Sequence, residues 1–419
     1  MNEDFFAAMR RATSSTRALN LTEATAIIQA ALAGRPASAN SKAADPDILP
    51  PSPVNHQKPF EIHPEAEITD VESSKDAEAH DPAYGAKPYR RLRKPLNEAV
   101  RILREGREGG IFGRMADGAL AGVVKPQRRP VIAAGAQFAS RSYSCAAGTR
   151  HFKLYIPASA QEKPRGLVVM LHGCKQDPDD FAIGTGMNTA AESHGLLVAY
   201  PAQTGIENSA SCWNWFRPSD QKRGVGEPSI IAGLTEVLIS EYSLDRSQVF
   251  VAGLSAGGAM AAIMGETYPD LYSAVGIHSG LAYGSANDVM SALSVMRGDA
   301  TTYSLPSGGA NATSQIRTIV FQGSSDRTVH PSNADRIVAL ASASHNHSAP
   351  QTHKARSNGG RSYTRTRFTD PQGIPTLEYW LIDQVGHAWS GGHPSGSYTD
   401  PGGPDASHAM LLFFLGNDG

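Results

Sequence analysis

Apolar runs and amphipathic stretches alternate along residues 136–415, and their order predicts strands that alternate with helices. Four apolar runs are typical of strands covered on both faces of a sheet: Leu167–Leu171, Leu196–Tyr200, Gln248–Ala252 and Thr318–Phe321. Apolar residues at helical spacing between Ile230 and Leu238 predict a helix, and an apolar helix is predicted over Ala406–Leu415. This alternation indicates an α/β fold with a mostly parallel sheet flanked by helices.

Two further pairs of segments predict strands at either end of this pattern. Ser142–Ser144 and Phe152–Ile156 indicate a hairpin of early strands. Tyr363–Phe368 and Thr376–Ile382 flank a Pro-Gln-Gly turn and indicate late strands. We therefore expect one α/β domain over residues 136–419.

Residues 1–34 are predicted to be helical. Asn20 with Glu23 three residues later resembles a capping box, and Gly34 is a helix stop. One helix face carries Leu21, Ala24, Ile28, Ala31 and Leu32. Two interpretations stay open: a helical hairpin that docks on the main domain or on a partner, and an amphipathic anchor for a hydrophobic surface.

Residues 35–135 are predicted to form a largely disordered linker. Residues 35–85 are rich in Pro, Ala, Ser and Asp and poor in large apolar side chains. A basic cluster follows: Lys87, Arg90, Arg91, Arg93, Lys94, Arg101, Arg104, Arg107, Arg114, Arg128 and Arg129. It indicates either a solvated extended linker or a docking site for an acidic partner.

The composition excludes several classes of protein. The chain has 419 residues, 40% of them hydrophobic, and a formal net charge of −2, so nothing points to a nucleic acid or an anionic membrane as partner. No run approaches the roughly 18 apolar residues of a membrane span. Acids at Glu3 and Asp4, with no apolar segment after them, argue against a standard signal peptide. We expect one large domain with appendages, or two domains.

The three cysteines, Cys145, Cys174 and Cys212, have no metal-binding spacing, so no metal is predicted. A bridge between Cys174 and Cys212 and a pair of reduced thiols are both open.

Gly253-Leu254-Ser255-Ala256-Gly257 carries the clearest chemical signal. It lies between a predicted strand and a helix rich in Ala, Gly and Met, which is the context of a nucleophile elbow. The turn is strained and the helix crosses close by, so a Cβ at Gly253 or Gly257 is expected to clash. Ser255 is then the candidate nucleophile, with an ordinary turn serine as the alternative.

A serine hydroxyl needs a base to take its proton and an acid to orient that base. Asp326 follows the Thr318–Phe321 strand, and His387 follows the Thr376–Ile382 strand, in the chain order of an α/β-hydrolase. We predict that Asp326 is the acid and His387 the base. The alternatives are Asp335 and Asp383 for the acid, and His330, His393 and His408 for the base.

An oxyanion hole needs two N–H donors. The backbone N–H of Ala256 is the first candidate, and Cys174, in Leu171-His172-Gly173-Cys174 after an early strand, is the second. His172 is interpreted as a structural loop residue rather than a base.

These motifs, together with Cys212-Trp213-Asn214-Trp215-Phe216 and Gly386-His387-Ala388-Trp389, resemble the esterase/polyhydroxybutyrate depolymerase family. The order, with His-Gly-Cys before the serine, is similar to the type 1 catalytic domain of short-chain polyhydroxyalkanoate depolymerases. Feruloyl and acetylxylan esterases share the framework. The resemblance covers about residues 136–415. It implies an α/β-hydrolase fold, a serine esterase without metal or cofactor, and an extracellular location. The start of the chain leaves a cytoplasmic or granule-associated location open.

The sequence leaves three functions open. The first is hydrolysis of short-chain poly(3-hydroxyalkanoate) polymers or oligomers, and the alternative enzyme is a feruloyl or acetylxylan esterase. The third is a non-catalytic protein on polyester granules, tethered by the N-terminal helices.

Trp213, Trp215 and Trp389 are candidate substrate-binding residues, with core packing as the alternative. Residues 283–314 are either a lid or a plain insertion.

Overall fold

The computed structural model describes residues 67–70, 130–299, 316–343 and 347–416, all within the unit Phe60–Gly419. The predictions for residues 1–34 and for nearly all of 35–135 lie outside these ranges. One described segment, Glu67–Asp70, lies within the predicted linker. It is a strand that pairs antiparallel with residues 141–144, so these four residues belong to the sheet.

Thirteen strands occur among the described residues. They are β1 (Glu67–Asp70), β2 (Gln137–Cys145), β3 (Gly148–Ile156), β4 (Gly166–Leu171), β5 (Leu196–Pro201), β6 (Val249–Leu254), β7 (Ala274–His278), β8 (Arg317–Gly323), β9 (Gln351–Arg356), β10 (Ser362–Thr369), β11 (Pro375–Ile382), β12 (Trp389–Ser390) and β13 (Thr399–Asp400).

Eleven of these strands form one sheet in the order β1-β2-β3-β5-β4-β6-β7-β8-β11-β10-β9. The six strands from β5 to β11 in this order run parallel, whereas β1, β2 and β3 at one edge and β10 and β9 at the other pair antiparallel. The predicted α/β class is confirmed, with antiparallel edges added to the parallel centre.

The helices are α1 (Pro178–Thr185), α2 (Met187–Glu192), α3 (Gly226–Tyr242), α4 (Ala256–Thr267), α5 (Val289–Met296), α6 (Ser332–Ala343) and α7 (Ala406–Leu415). Short 3-10 turns cover Ala158–Ala160, Pro218–Gln221 and Arg246–Gln248. Asp177, Asp288 and Asp405 cap α1, α5 and α7 by accepting hydrogen bonds from first-turn N–H groups.

The core lies on both faces of the sheet. In β4, Leu167, Val169 and Leu171 face one side, which α3, α4, α5 and α6 cover. Val168 and Met170 face the other side, which α1, α2 and α7 cover. Because side chains alternate along a strand and both faces are covered, all six residues of β4 are buried. That double burial is the reason for the continuous apolar runs in the sequence.

Candidate active site

Ser255 stands between β6 and α4 with a backbone conformation that side chains rarely adopt. Its φ is 58° and its ψ is −120°. A Cβ at Gly253 would lie 2.4 Å from the Gly257 carbonyl, and a Cβ at Gly257 would lie 1.9 Å from the Leu171 oxygen. The predicted need for both glycines is confirmed. Strain of this kind persists only where the surroundings fix the backbone.

Asp326 and His387 meet at the carboxyl ends of the neighbouring parallel strands β8 and β11. His387 Nδ1 lies 2.8 Å from Asp326 Oδ2. Asp326 Oδ1 accepts hydrogen bonds from the N–H groups of Thr328 at 2.8 Å and Val329 at 2.9 Å. Burial by itself raises the pKa of the Asp326 carboxyl, but the bonds from His387 and the two N–H groups outweigh it, and the net pKa lies below its ordinary value. The carboxylate is therefore ionised at neutral pH.

The alternative acids and bases either contact other residues or are exposed. Asp335 accepts from the Tyr379 hydroxyl, and Asp383 is exposed. His330 Nδ1 lies 2.9 Å from Ser332 Oγ, and His393 accepts from the N–H of Ser395. His408 is exposed on α7. Among the candidates, the pair that the structure brings together is Asp326 and His387.

Ser255 is linked to this pair through His278, the last residue of β7. The Ser255 N–H donates to the His278 carbonyl at 2.9 Å, and His278 Nε2 accepts from the N–H of Ser390 at 3.0 Å, three residues after His387. In the described part of the chain, Ser255 Oγ makes no hydrogen bond. Contacts between nucleophile and base are often loose without substrate and tighten when it binds.

His278 is a neutral, fully buried imidazole. Burial, and next the neighbouring His387, lower its pKa to about 3. Its ring stacks between Phe321 at 5.6 Å and Trp389 at 5.0 Å, measured between ring centroids. His278 was not among the residues predicted from the sequence. The signal was the short apolar run Ala274-Val275-Gly276-Ile277 before it, which also marks β7.

The loop after β4 approaches Ser255 closely. A Cβ at Gly173 would lie 3.6 Å from the Ser255 Cβ. The N–H groups of Cys174 and Ala256 donate no hydrogen bond to any described residue. His172 Nδ1 lies 2.8 Å from the Gly173 carbonyl, and His172 Nε2 accepts from the N–H of Gln203 at 2.9 Å. With both ring nitrogens bonded to backbone, His172 is a structural residue, as interpreted from the sequence.

Two features fix this loop from behind. Cys174 and Cys212 form a disulfide, which decides between the two alternatives of the sequence, and Cys145 is a free thiol. Trp213 Nε1 donates to the His172 carbonyl at 3.1 Å. The loop is therefore joined to residues 212–213 by one covalent bond and one hydrogen bond.

A buried glutamate that was not predicted from the sequence holds the same region together. Glu227, in the first turn of α3, accepts from the N–H and the side-chain amide of Asn214, each at 2.7 Å, and from the Gln203 amide. Arg150 Nη2 lies 3.4 Å from Glu227 Oε1. Burial raises the pKa of Glu227 against the opposing effect of these donors.

The three candidate substrate-binding tryptophans are buried. Trp213 is 0%, Trp389 1% and Trp215 6% exposed. Trp389 packs edge-on against Phe181, and its Nε1 donates to Ser407 Oγ. A fully buried ring offers no surface to a substrate, so for Trp213 and Trp389 the prediction is corrected to core packing. Trp215 also belongs to the core in this structure.

A cavity of about 460 Å³ is separate from these residues. It lies between β10, β11 and α7, and its lining contains none of Ser255, Asp326 and His387. Two arginines that line it are paired with Glu378.

The described ranges contain no cluster of three or more His, Cys, Asp or Glu side chains suited to a metal. Nor does any helix described in the structure have the length and apolarity needed to cross a bilayer.

The predicted lid, residues 283–314, is described as far as residue 299. It contains α5, which is fastened to the segment after Asp326 because the His330 N–H donates to the Met296 carbonyl and the Asn333 amide donates to the Val295 carbonyl. The choice between lid and insertion stays a prediction.

Comparisons with known proteins identify relatives of this chain. The family model described as esterase PHB depolymerase matches residues 150–361. Poly(3-hydroxyalkanoate) depolymerase C of Paucimonas lemoignei is 31% identical over 260 residues, which are 60% of this chain and 59% of that protein. A probable acetylxylan esterase A of Neosartorya fischeri is 30% identical over 202 residues, 43% of this chain and 51% of that protein. The chain thus spans between about half and three fifths of the length of these relatives.

A solved structure supports the fold. The acetyl xylan esterase from Aspergillus awamori superposes with a TM-score of 0.50 at 24% identity, covering 64% of this chain and 94% of that one. The expected α/β-hydrolase fold is confirmed.

Proposed function

The chain belongs to the esterase PHB depolymerase family, and on this premise we propose that it is a serine esterase that works through an acyl-enzyme intermediate. The observation that carries the proposal is the Asp326–His387 contact of 2.8 Å, together with a strained serine at the end of β6 and two N–H donors without a described partner. A structural ion pair alone would not require a serine with a φ of 58° at the carboxyl end of another strand of the same sheet.

Each residue of the proposed triad has a distinct role. Ser255 Oγ attacks the ester carbonyl, and His387 takes its proton at Nε2 because Asp326 holds the Nδ1 side. His387 then gives the proton to the leaving alcohol, and the acyl group stays on Ser255. A water molecule, activated by the same imidazole, releases the acid. The ionised Asp326 stabilises the imidazolium that forms in both steps.

The oxyanion of the tetrahedral intermediates is held by the N–H groups of Cys174 and Ala256. Donors that are already in place stabilise the developing charge without reorganisation, and losing one of them costs roughly 10²–10³ in kcat in well-studied hydrolases. The close approach of Gly173 to Ser255 places the loop of Cys174 beside the nucleophile.

The proposed substrate is a short-chain poly(3-hydroxyalkanoate) polymer or its oligomers, in line with the name of the Paucimonas relative. The acetylxylan esterase relative supports a second candidate, removal of acetyl or feruloyl groups from plant polysaccharide. Assays of hydroxybutyrate oligomers, acetylated xylan and methyl ferulate at equal enzyme concentration separate the two. Faster turnover of either carbohydrate ester would replace the first candidate by the second.

The decisive test of the mechanism is Ser255→Ala. We expect it to abolish hydrolysis of a short-chain p-nitrophenyl ester while circular dichroism and the melting temperature stay close to those of the wild type. Turnover at the wild-type rate would refute the assignment of Ser255, and an inactive wild type would favour the non-catalytic alternative.

Association with polyester granules is a separate proposal that rests on the sequence of residues 1–34. It predicts that replacing Ile28 and Leu32 by Asp in the full chain lowers co-sedimentation with granules. Equal binding by the variant and the wild type would remove this proposal and leave the esterase proposal intact.

A further inference from the structure

Tyr398 is an exposed aromatic side chain beside the proposed base. It is 42% exposed, and its ring lies edge-on to the His387 imidazole with 6.3 Å between the ring centroids. Large aromatic side chains contribute most to stability when they are buried. A half-exposed ring beside a proposed reacting group is therefore not explained by stability alone.

The backbone of Tyr398 adds a second observation. Its φ is 51°, in the left-handed region that glycine and asparagine tolerate and bulky residues avoid. The exposed ring does not supply the packing that would otherwise justify tyrosine at such a position. An outlier of this kind in a site points to a function for the side chain.

The surroundings of Tyr398 fix it from two directions. Its carbonyl accepts from the N–H of Trp389 at 2.7 Å, in the parallel pair of β12 and β13. The preceding Ser397 donates its N–H to Asp180 at 3.0 Å, and its carbonyl accepts from the Gln176 amide at 3.2 Å. Gln176 also accepts from the Gly173 N–H at 2.9 Å. Tyr398 is thus tied both to the segment of His387 and to the loop of Cys174.

We propose that Tyr398 is a substrate-binding residue whose ring forms the wall for the alcohol side of the scissile ester. His387 protonates the leaving alcohol, so a side chain packed against that imidazole borders the leaving group rather than the acyl group. An extended alcohol side, such as the next hydroxyalkanoate unit of an oligoester, reaches this ring, whereas a methyl group is too short to cover it. This inference rests on the proposed function.

Two esters with the same acyl group test the inference. The linear 3-hydroxybutyrate dimer has a single ester bond and differs from methyl 3-hydroxybutyrate only on the alcohol side of that bond, so the ratio of their kcat/KM values isolates that side. We expect Tyr398→Asn to lower kcat/KM for the dimer about tenfold, which corresponds to about 1.4 kcal/mol, and to leave the methyl ester within about twofold.

Stability separates substrate contact from a structural role. Because asparagine tolerates a positive φ, the melting temperature of Tyr398→Asn should equal or exceed that of the wild type. Tyr398→Phe keeps the ring and should keep the rate on the dimer within about twofold. As a matched control, Ile374→Asn changes a residue that is 51% exposed at the turn before β11, and it should change neither ester.

Three results would overturn the inference: an unchanged dimer-to-methyl ratio in Tyr398→Asn, a lower melting temperature with equal loss on both esters, or a loss in Tyr398→Phe as large as in Tyr398→Asn. Failure of the proposed function is distinguishable, because the wild type would then hydrolyse neither ester.

Discussion

The two halves of the proposed active site are built in different ways. The oxyanion half, residues 172–176 with 203–227, is held by a disulfide, a buried glutamate and a histidine whose two nitrogens are both bonded to backbone. The base half, residues 383–400, is partly exposed and is held by hydrogen bonds to His278 and Asp326. Fixed donors suit charge stabilisation, which needs no movement. A base that receives and returns a proton needs a partner that orients it and space for the leaving group.

Among changes that leave Ser255 in place, removing the acid of the base half should have the largest effect on catalysis. We expect Asp326→Asn to lower kcat by about 10⁴, because the amide favours the wrong tautomer of His387 and no longer stabilises the imidazolium. The check is kcat for a p-nitrophenyl ester, with the melting temperature as the control for folding. If Asp335→Asn or Asp383→Asn were as damaging, the acid would be misassigned.

Removing the disulfide of the oxyanion half should affect mainly stability. The bridge joins residues 38 apart in sequence, and opening a loop of that length costs about 3–4 kcal/mol of unfolding free energy. We expect this loss in a Cys174→Ser, Cys212→Ser double variant, with a lower kcat at an unchanged KM, since Cys174 carries an oxyanion donor. Urea unfolding and steady-state kinetics measure the two effects.

Dithiothreitol provides the matched control for the bridge. It should lower the stability of the wild type and of Cys145→Ser alike, and it should leave the double variant unaffected. Sensitivity confined to proteins that retain Cys145 would contradict the bridge.

The smallest predicted effect is on the pH dependence of the unfolding free energy. The pKa of His278 is about 3 when folded and near 6.5 when unfolded. The unfolded state therefore binds more protons between these values, so the contribution of His278 is complete above pH 6.5 and is lost as the pH falls toward 3. From pH 7 to pH 5.5 the loss is about 1 kcal/mol.

His278→Gln isolates that contribution, because the glutamine oxygen can accept from Ser390 but does not titrate. The unfolding free energy of the wild type should fall by about 1 kcal/mol more than that of the variant over this pH interval. Parallel pH dependences would show that His278 is not a buried neutral imidazole.

Much of the fold was predictable because burial on both faces leaves a plain pattern. Leu167–Leu171 and Leu196–Tyr200 lie within β4 and β5, and α7 has the predicted bounds. The strand Gln351–Arg356 was not predicted, because β9 is an exposed edge strand with polar residues. The short strand β1 was not predicted either, because it lies in a polar, proline-rich region.

Some residues of the site could be predicted from the sequence, and others could not. Ser255, Asp326 and His387 follow strands in a recognisable order, so local motifs were enough to select them. Glu227 and His278 act through partners distant in sequence, Asn214 and Ser390, and no local motif marks such contacts. The tryptophans were predicted to bind substrate but are buried, because a motif beside a site does not tell whether its side chains face the cleft or the core.

The convergence of the two halves on one substrate carbonyl is tested most directly by the crystal structure of the protein inactivated with a short-chain alkyl p-nitrophenyl phosphonate. The account predicts a phosphorus bond to Ser255 Oγ, with the phosphonyl oxygen about 3 Å from the N–H groups of Cys174 and Ala256. It also predicts His387 Nε2 within hydrogen-bond reach of the Ser255 oxygen or the phosphonate ester oxygen. Labelling of another residue, or an adduct on Ser255 with His387 turned away and a different base in its place, would contradict it.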